Sequence, residues 1–217
     1  MSKKPKADPA SRKVLAYTVE TNDPEESTIQ FATSNAAARR QGAEEIGADF
    51  ADVSCRRAQW ADQFAGQPFI PAQAYIDAGW WFDCNHCGTR CDSDASHWDE
   101  EAEIDIPLDL VFDGRVVYCS AECKEGHESE VAARNARFEK FKERVVAAQP
   151  GVTFTEFTGG YPYCGDGARF TFPGAQYGGS VSETEDGQDL KWFIAQGDKA
   201  AWDYFIAQKQ ESRNSVD

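Results

Sequence analysis

Four cysteines form two close pairs that can chelate a metal ion. Cys84 and Cys87 are separated by two residues and followed by Gly88, whereas Cys119 and Cys123 are separated by three residues. A tight turn with a glycine allows backbone N–H groups to approach two sulfur atoms that point at one ion. Closed structural zinc sites have four tetrahedral ligands. The spacing therefore predicts one zinc ion bound by Cys84, Cys87, Cys119 and Cys123.

Two other residues are alternative ligands. Cys91 follows Cys87 by four positions and His127 follows Cys123 by four positions, so either can replace one of the four cysteines. The run Cys84, Cys87 and Cys91 also suits an iron–sulfur cluster, although a cysteine turn combined with a helix favours zinc. His86 and His97 are interpreted as exposed polar residues. Cys55 is interpreted as a buried core residue, because Cys packs as a small hydrophobic side chain.

Negative charge is concentrated in the middle of the chain. The formal net charge of the 217 residues is −15, and residues 71–130 contain 3 Lys and Arg against 15 Asp and Glu. The segments on either side are nearly neutral, with 9 basic against 10 acidic residues before it and 10 against 12 after it. Because phosphate backbones bind Lys and Arg, this balance argues against nucleic acid as a partner of the middle segment. The acidic run from Asp92 to Asp105 is predicted to be a solvated loop. From Ile104 to Leu110, apolar residues alternate with Asp105 and Asp109, which predicts a half-buried strand.

The sequence predicts an α+β fold with a tail and three modules. Two alternating segments, an alanine-rich helix and a third alternating segment precede the cysteines. A long helix is predicted after Ser120 and ends at Pro150. Phe170 and Phe172 alternate with a polar residue in a predicted hairpin, and Asp198 is the expected cap of the last helix. The divisions are a disordered tail over 1–13, a small ββαβ module over 14–68, a zinc-binding module with a long helix over 69–150, and a β-hairpin plus helix over 151–217.

The cysteine segments resemble treble-clef zinc fingers, in which a CxxCG turn is followed by a strand and by a CxxxC sequence that enters a helix. The stretch YCSAEC looks like the second half of the MYND and FCS-type branches. This resemblance implies a treble-clef-like zinc module. The chain departs from the MYND pattern because it lacks a second interleaved zinc site, and 31 residues separate Cys87 from Cys119. The whole assembly also resembles uncharacterised proteins encoded by bacteriophages and prophages.

Location and catalysis are predicted from motifs that the sequence lacks. No run approaches the roughly 18 apolar residues of a membrane span, and no apolar signal core follows the basic N-terminal segment. We therefore expect a cytoplasmic protein without a membrane partner. There is no nucleophile motif and no HExxH motif, and a zinc ion held by four thiolates has no open position for water. We therefore expect no enzymatic activity.

Three functions remain to be compared. The leading hypothesis is a zinc-stabilised protein-interaction module, a phage accessory factor that binds a host protein with a basic surface and imitates the charge of DNA. The second is a nucleic-acid-binding zinc finger that uses the basic tail or Arg39, Arg40, Arg56 and Arg57. The third is a metal-dependent hydrolase, which requires a three-ligand site with bound water. The sequence leaves the oligomeric state open.

Overall fold

The structure is a computed structural model that describes residues 13–23, 25–184 and 187–214. It combines α-helices with antiparallel strands, which confirms the predicted α+β class. The chain forms two compact units, Met1–Lys124 and Glu125–Asp217. The division into three modules stays a prediction. The predicted disordered tail lies outside the described residues, apart from Lys13.

The first unit begins with two strands, a helix and a third strand, as predicted. These elements are β1 (Leu15–Glu20), β2 (Ser27–Ala32), α1 (Asn35–Ile46) and β3 (Ser54–Arg57). The sheet order is β2-β1-β3, and both outer strands are antiparallel to β1. The hydroxyl oxygen of Ser34 accepts the N–H of Ala37 and caps α1, whereas Gly47 ends the helix with a φ of 78°. Both ends of this helix were therefore predictable from capping chemistry.

The two faces of this sheet are covered by different helices. Val19 of β1 is fully buried in the cluster on the α1 side, together with Ala43. On the other side, Ala16 and Ile29 pack in a cluster with a 3-10 helix over Gln59–Phe64 and with α2 (Ala72–Asp77). The alternation of side chains along a strand sends neighbouring residues to opposite faces, so this sheet is the centre of a three-layer arrangement.

The cysteine region of the first unit contains short hairpins and the start of a long helix. Its elements are β4 (Phe82–Asp83), β5 (Arg90–Cys91), β6 (Ser96–Asp99), β7 (Ile104–Pro107), β8 (Val111–Asp113), β9 (Val116–Tyr118) and α3 (Ala121–Ala148). The strands pair antiparallel as β4-β5, β6-β7 and β8-β9. The buried residues of the cluster here are Cys84, Cys91, Val117 and Tyr118. A core of this size cannot by itself order a domain.

The acidic run from Asp92 to Asp105 is a hairpin and not the predicted loop, because β6 and β7 pair within it. The Oδ1 atom of Asp99 accepts two backbone N–H groups of the turn, at 2.9 and 3.1 Å, and so fixes the reversal of the chain. Trp98 is 57% exposed and Ile104 is 53% exposed. Ile104 is therefore a surface residue, although alternation in the sequence predicted that it is half-buried.

The second unit contains the remainder of α3, a four-stranded sheet and a last helix. The further elements are β10 (Thr153–Thr158), β11 (Gly167–Thr171), β12 (Gly179–Glu183), β13 (Leu190–Ile194) and α4 (Lys199–Asn214). The sheet is an antiparallel meander in this order. Phe141 and Val145 of α3 are fully buried in one cluster with Phe170, Phe172 and Phe205. The predicted hairpin and helix are present, the segment DLKWFIA, for which the sequence predicts a third strand, forms β13, and β12 is an additional strand.

Asp198 lies immediately before α4, but its carboxylate bonds to the loop between β11 and β12. It accepts the backbone N–H groups of Gln176, Tyr177 and Gly178 at 2.9, 2.7 and 2.7 Å. The side chain is 3% exposed, and these donors replace the water that a buried carboxylate loses. Asp198 therefore anchors the loop, whereas the sequence predicts that it caps the helix.

Candidate metal centre

The first cysteine pair lies in a tight turn between β4 and β5. The N–H of Cys84 donates to the carbonyl oxygen of Thr89 at 2.7 Å, and the N–H of Gly88 donates to the carbonyl oxygen of Cys84 at 3.0 Å. Gly88 has a φ of 75°, a left-handed conformation that glycine adopts without strain. The turn therefore brings the Sγ atoms of Cys84 and Cys87 into one cluster.

The second pair is positioned by β9 and by the first turn of α3. Cys119 follows β9 directly, and the Oγ of Ser120 accepts the N–H of Cys123 at 3.3 Å. Cys123 thus lies in the first helical turn, where a hydrogen bond with Cys119 lowers its pKa but burial and the other neighbouring thiols raise it overall. The N–H of Asn85 donates to the carbonyl oxygen of Val117 at 2.9 Å. This bond joins the cysteine turn to β9 and brings the two pairs together.

The four sulfur atoms converge on a volume of the size that one metal ion needs. The Sγ atoms of Cys84, Cys87, Cys119 and Cys123 all lie within 4.8 Å of one another. The Sγ of Cys119 is 3.5 Å from that of Cys87 and 3.4 Å from that of Cys123. Tetrahedral zinc with Zn–S bonds of about 2.3 Å places its sulfurs about 3.8 Å apart. The cluster can therefore hold a metal ion.

Hydrogen bonds prepare two of the sulfurs to carry negative charge. Burial raises the pKa of Cys84, but backbone N–H groups, including those of Cys87 and Cys119, lower it overall. The hydroxyl of Thr89, 3.1 Å from the Sγ of Cys87, is the main cause that lowers the pKa of that thiol to about 6. Burial, together with the neighbouring thiols, raises the pKa of Cys119. Neighbouring thiolates repel each other, so a bound cation is needed for all four to ionise together.

The two alternative ligands are not members of the converging group found among the described residues. Cys91 is fully buried in β5, and its thiol donates to the carbonyl oxygen of Thr89 at 3.4 Å. Burial raises the pKa of Cys91 to about 11. The ring of His127 packs edge-on against Tyr161 at 5.3 Å. Thr89 was missed in the sequence, although a hydroxyl two residues after Cys87 is a usable signal.

The remaining polar candidates lie elsewhere in the fold. The thiol of Cys55 donates to the carbonyl oxygen of Asn35 at 3.6 Å, and its side chain packs beside the core of the α1 face. His86 and His97 are exposed. Three of the four arginines considered for nucleic acid already have partners within the protein. These contacts are Arg39 over the ring of Phe50 at 4.4 Å, Arg56 with Glu20 at 3.1 Å and Arg57 with Asp62 at 2.7 Å.

Neither a membrane segment nor a similar protein adds to this picture. Across the parts of the chain that the structure describes, no helix is both long and apolar enough to cross a membrane. Comparison of the chain with known protein families, curated proteins and solved structures gives no match. The chemistry of the cysteine cluster is therefore the main guide to function.

Proposed function

We propose that the cysteine cluster binds one zinc ion as the structural centre of a protein-interaction module. The observation that carries this proposal is the convergence of four Sγ atoms from a tight turn and a helix N-terminus within 4.8 Å. All-thiolate tetrahedral sets are typical of structural zinc sites. The order of cysteine turn, hairpin β8-β9 and helix α3 supports the resemblance to treble-clef fingers. An iron–sulfur cluster is disfavoured because Cys91, its additional candidate ligand, lies outside the converging group.

The proposed zinc has a structural role and no catalytic one. Four thiolates fill the tetrahedral positions around zinc, so no position remains for a water molecule or a substrate. Catalytic zinc sites instead have three protein ligands and an open position. The function that we propose for this chain is therefore binding and not hydrolysis.

The interaction surface that we propose is the acidic hairpin, defined as residues 92–107 with strands β6 and β7. Trp98 is exposed there on the same face of the hairpin as its register partner Asp105, and Trp is enriched among the residues that dominate interface energies. A protein with a basic groove and an apolar pocket fits this combination, and such a groove can also bind DNA or RNA. The carboxylates are those of Asp92, Asp94, Asp99, Glu100, Glu101, Glu103 and Asp105.

We propose that the chain is a phage accessory factor and that its partner is a host protein that handles nucleic acid in the bacterial cytoplasm. The resemblance to phage and prophage proteins supports the setting, and the charge of residues 71–130 supports the class of partner. An acidic surface accelerates association with a basic one, and this steering weakens as salt screens the charges. Binding is therefore expected to depend on ionic strength.

The test of this function is a pull-down from bacterial lysate with two charge-matched variants, at low and at moderate salt. One variant neutralises four carboxylates of the acidic hairpin, and the control neutralises four exposed carboxylates elsewhere. We expect the hairpin variant to lose the bound proteins and the control to retain them. If both variants capture the same proteins with the same salt dependence, the acidic hairpin is not the interaction surface. The substituted residues are Asp99, Glu100, Glu101 and Glu103 in the first variant and Asp49, Asp52, Glu139 and Glu143 in the control, each changed to Asn or Gln.

A further inference from the structure

The outer edge of β2 has unpaired backbone groups. β2 is an outer strand of its sheet, so one side of its backbone faces away from β1. The N–H of Thr21 donates to the carbonyl oxygen of Glu26 at 3.1 Å, so these two residues form a hydrogen-bonded pair. Such pairs alternate with non-hydrogen-bonded pairs along an antiparallel ladder, and by this register Ile29 and Phe31 belong to non-hydrogen-bonded pairs. This alternation directs the N–H and C=O groups of Ile29 and Phe31 outward. No described residue bonds to these groups.

An aromatic cavity of about 410 Å³ lies along this edge. The ring of Tyr75 contacts those of Trp60, Trp80 and Phe82 edge-on, at centroid distances of 5.4, 5.2 and 5.6 Å. Phe69, another lining residue, is 39% exposed. Residues 27–29 and Phe31 of β2 also line the cavity. The cavity and the unpaired strand edge therefore form one continuous feature, which we call the β2 groove.

The β2 edge lacks three of the features by which proteins protect outer strands, namely a bulge, a proline and a lysine. Its six residues pair with β1 in unbroken register, without a bulge. The segment STIQFA contains no proline and no lysine. Outer strands are usually protected by such features, because an unpaired edge can pair with another chain. An edge without these features beside an aromatic cavity is therefore suited to bind an extended segment.

Charge around the β2 groove differs between its floor and one end. The cavity lining contains one carboxylate, that of Glu45, and one guanidinium, that of Arg115. The formal charges of the lining therefore balance. One end of β2 follows a turn that is strongly acidic and attracts a cationic side chain. The carboxylates of this turn are those of Asp23, Glu25 and Glu26.

We propose that the β2 groove binds an extended segment of a partner protein, which adds to the sheet as a further strand. The backbone of this segment bonds to Ile29 and Phe31, and one large aromatic or aliphatic side chain enters the cavity. A Lys or Arg of the segment lies beside the acidic turn. In strand addition, main-chain bonds supply affinity and side-chain pockets supply specificity, which accounts for the combination seen here. The site is distinct from the cysteine cluster and from the acidic hairpin.

The experiment uses the full zinc-loaded chain and a defined set of acetylated nine-residue peptides. In each peptide, every second residue is Val, Phe or Trp, and the remaining residues are Thr. Each peptide is made in three forms, with a Lys pair at the N-terminus, at the C-terminus or at neither end. We expect at least one aromatic peptide to bind in the micromolar range, more tightly with a Lys pair at one end. At saturation, amide exchange at Ile29 and Phe31 should slow at least tenfold, with no change along the outer edge of β13.

Two variants and one control test which residues the peptide contacts. Phe69→Ala removes an exposed part of the cavity lining and should weaken binding about tenfold or more. Glu25→Gln should weaken binding of the Lys-containing peptide several-fold and leave that of the Lys-free peptide unchanged. The control Phe193→Ala, which removes an aromatic ring that is 48% exposed in β13, should have no effect.

Three results would overturn the proposal. One is that no peptide of the set binds the wild-type chain. Another is that the peptides bind Phe69→Ala as tightly as wild type. A third is binding without slower exchange at Ile29 and Phe31, which would show a ligand in the cavity but no added strand. Because exchange is measured on the unmodified chain, the outcome does not depend on how well a variant folds.

Discussion

Replacement of Cys119 by Ser is expected to unfold the metal-binding part of the first unit. The Sγ atoms of Cys87 and Cys123 lie 3.5 and 3.4 Å from the Sγ of Cys119. The substitution therefore removes the sulfur that links two other members of the cluster. A serine hydroxyl is not ionised at neutral pH and does not replace a thiolate as a zinc ligand. We expect the variant to contain less than a tenth of the zinc of the wild-type protein.

The size of the effect follows from how little else stabilises this region. Apart from Cys91, its buried residues outside the four cysteines are Val117 and Tyr118, at 1% and 4% exposure. Full burial of one such apolar side chain contributes about 1.5–3 kcal/mol. Structural zinc contributes about 10–16 kcal/mol of apparent binding free energy. The strands of two residues in β4-β5 and of three residues in β8-β9 are too short to persist without the free energy of zinc binding.

Hydrogen exchange detected by mass spectrometry measures this effect segment by segment. Peptides that cover residues 82–91 and 111–123 should lose their protection in Cys119→Ser. Peptides from the β1-β2-β3 sheet and from the second unit should keep theirs, because each has its own buried core. The matched control is Cys164→Ser, which changes an exposed cysteine outside the cluster. The reasoning is refuted if Cys119→Ser retains protection over residues 82–91, or if protection is lost equally along the whole chain.

Two further predictions concern the second unit. Phe141→Ala should lower the free energy of unfolding in urea by about 3–5 kcal/mol, because the ring is 0% exposed, whereas Val146→Ala, at a site 53% exposed, should change it by no more than about 0.5 kcal/mol. Equal effects would contradict the assigned core. Backbone N–H donors, that of Gln176 first, lower the pKa of Asp198, so its contribution to stability is complete above about pH 4 and is lost as pH falls through the lower folded pKa. Asp198→Asn should therefore lower the melting temperature at pH 7, and the difference from wild type should shrink in strong acid. The exposed control Asp203→Asn should have the wild-type melting temperature at every pH.

Local chemistry made several features predictable from the sequence. Capping by Ser34 and Gly47 depends on neighbouring backbone groups, so the limits of α1 follow from the residues alone. The pairing of Cys84 with Cys87 is likewise set within one turn. The approach of this pair to Cys119 depends on a contact between residues that are distant in the sequence. It can still be inferred, because two close pairs of soft ligands indicate one shared metal site. Their role as metal ligands stays a prediction.

Other features depend on contacts that the sequence pattern does not encode. β6 and its pairing with β7 were missed because the charged segment over β6 lacks the one-sided apolar alternation of a packed strand. β12 was missed because Val181 is its one buried residue. The carboxylate of Asp198 bonds to a loop 20–22 residues away, which a local capping rule cannot anticipate. The lining of the β2 groove comes from segments between Ser27 and Arg115, so it is visible only in the folded chain.

The metal content of the purified 217-residue chain tests the central claim most directly. The protein is purified without chelators, its concentration is measured by amino-acid analysis, and zinc and iron are quantified by mass spectrometry. We expect close to one zinc per chain with little iron, the same value in Cys164→Ser, and loss of zinc in Cys119→Ser. A chain that contains no zinc and still protects the amides of residues 82–91, or that contains iron with sulfide, would contradict the proposed zinc centre.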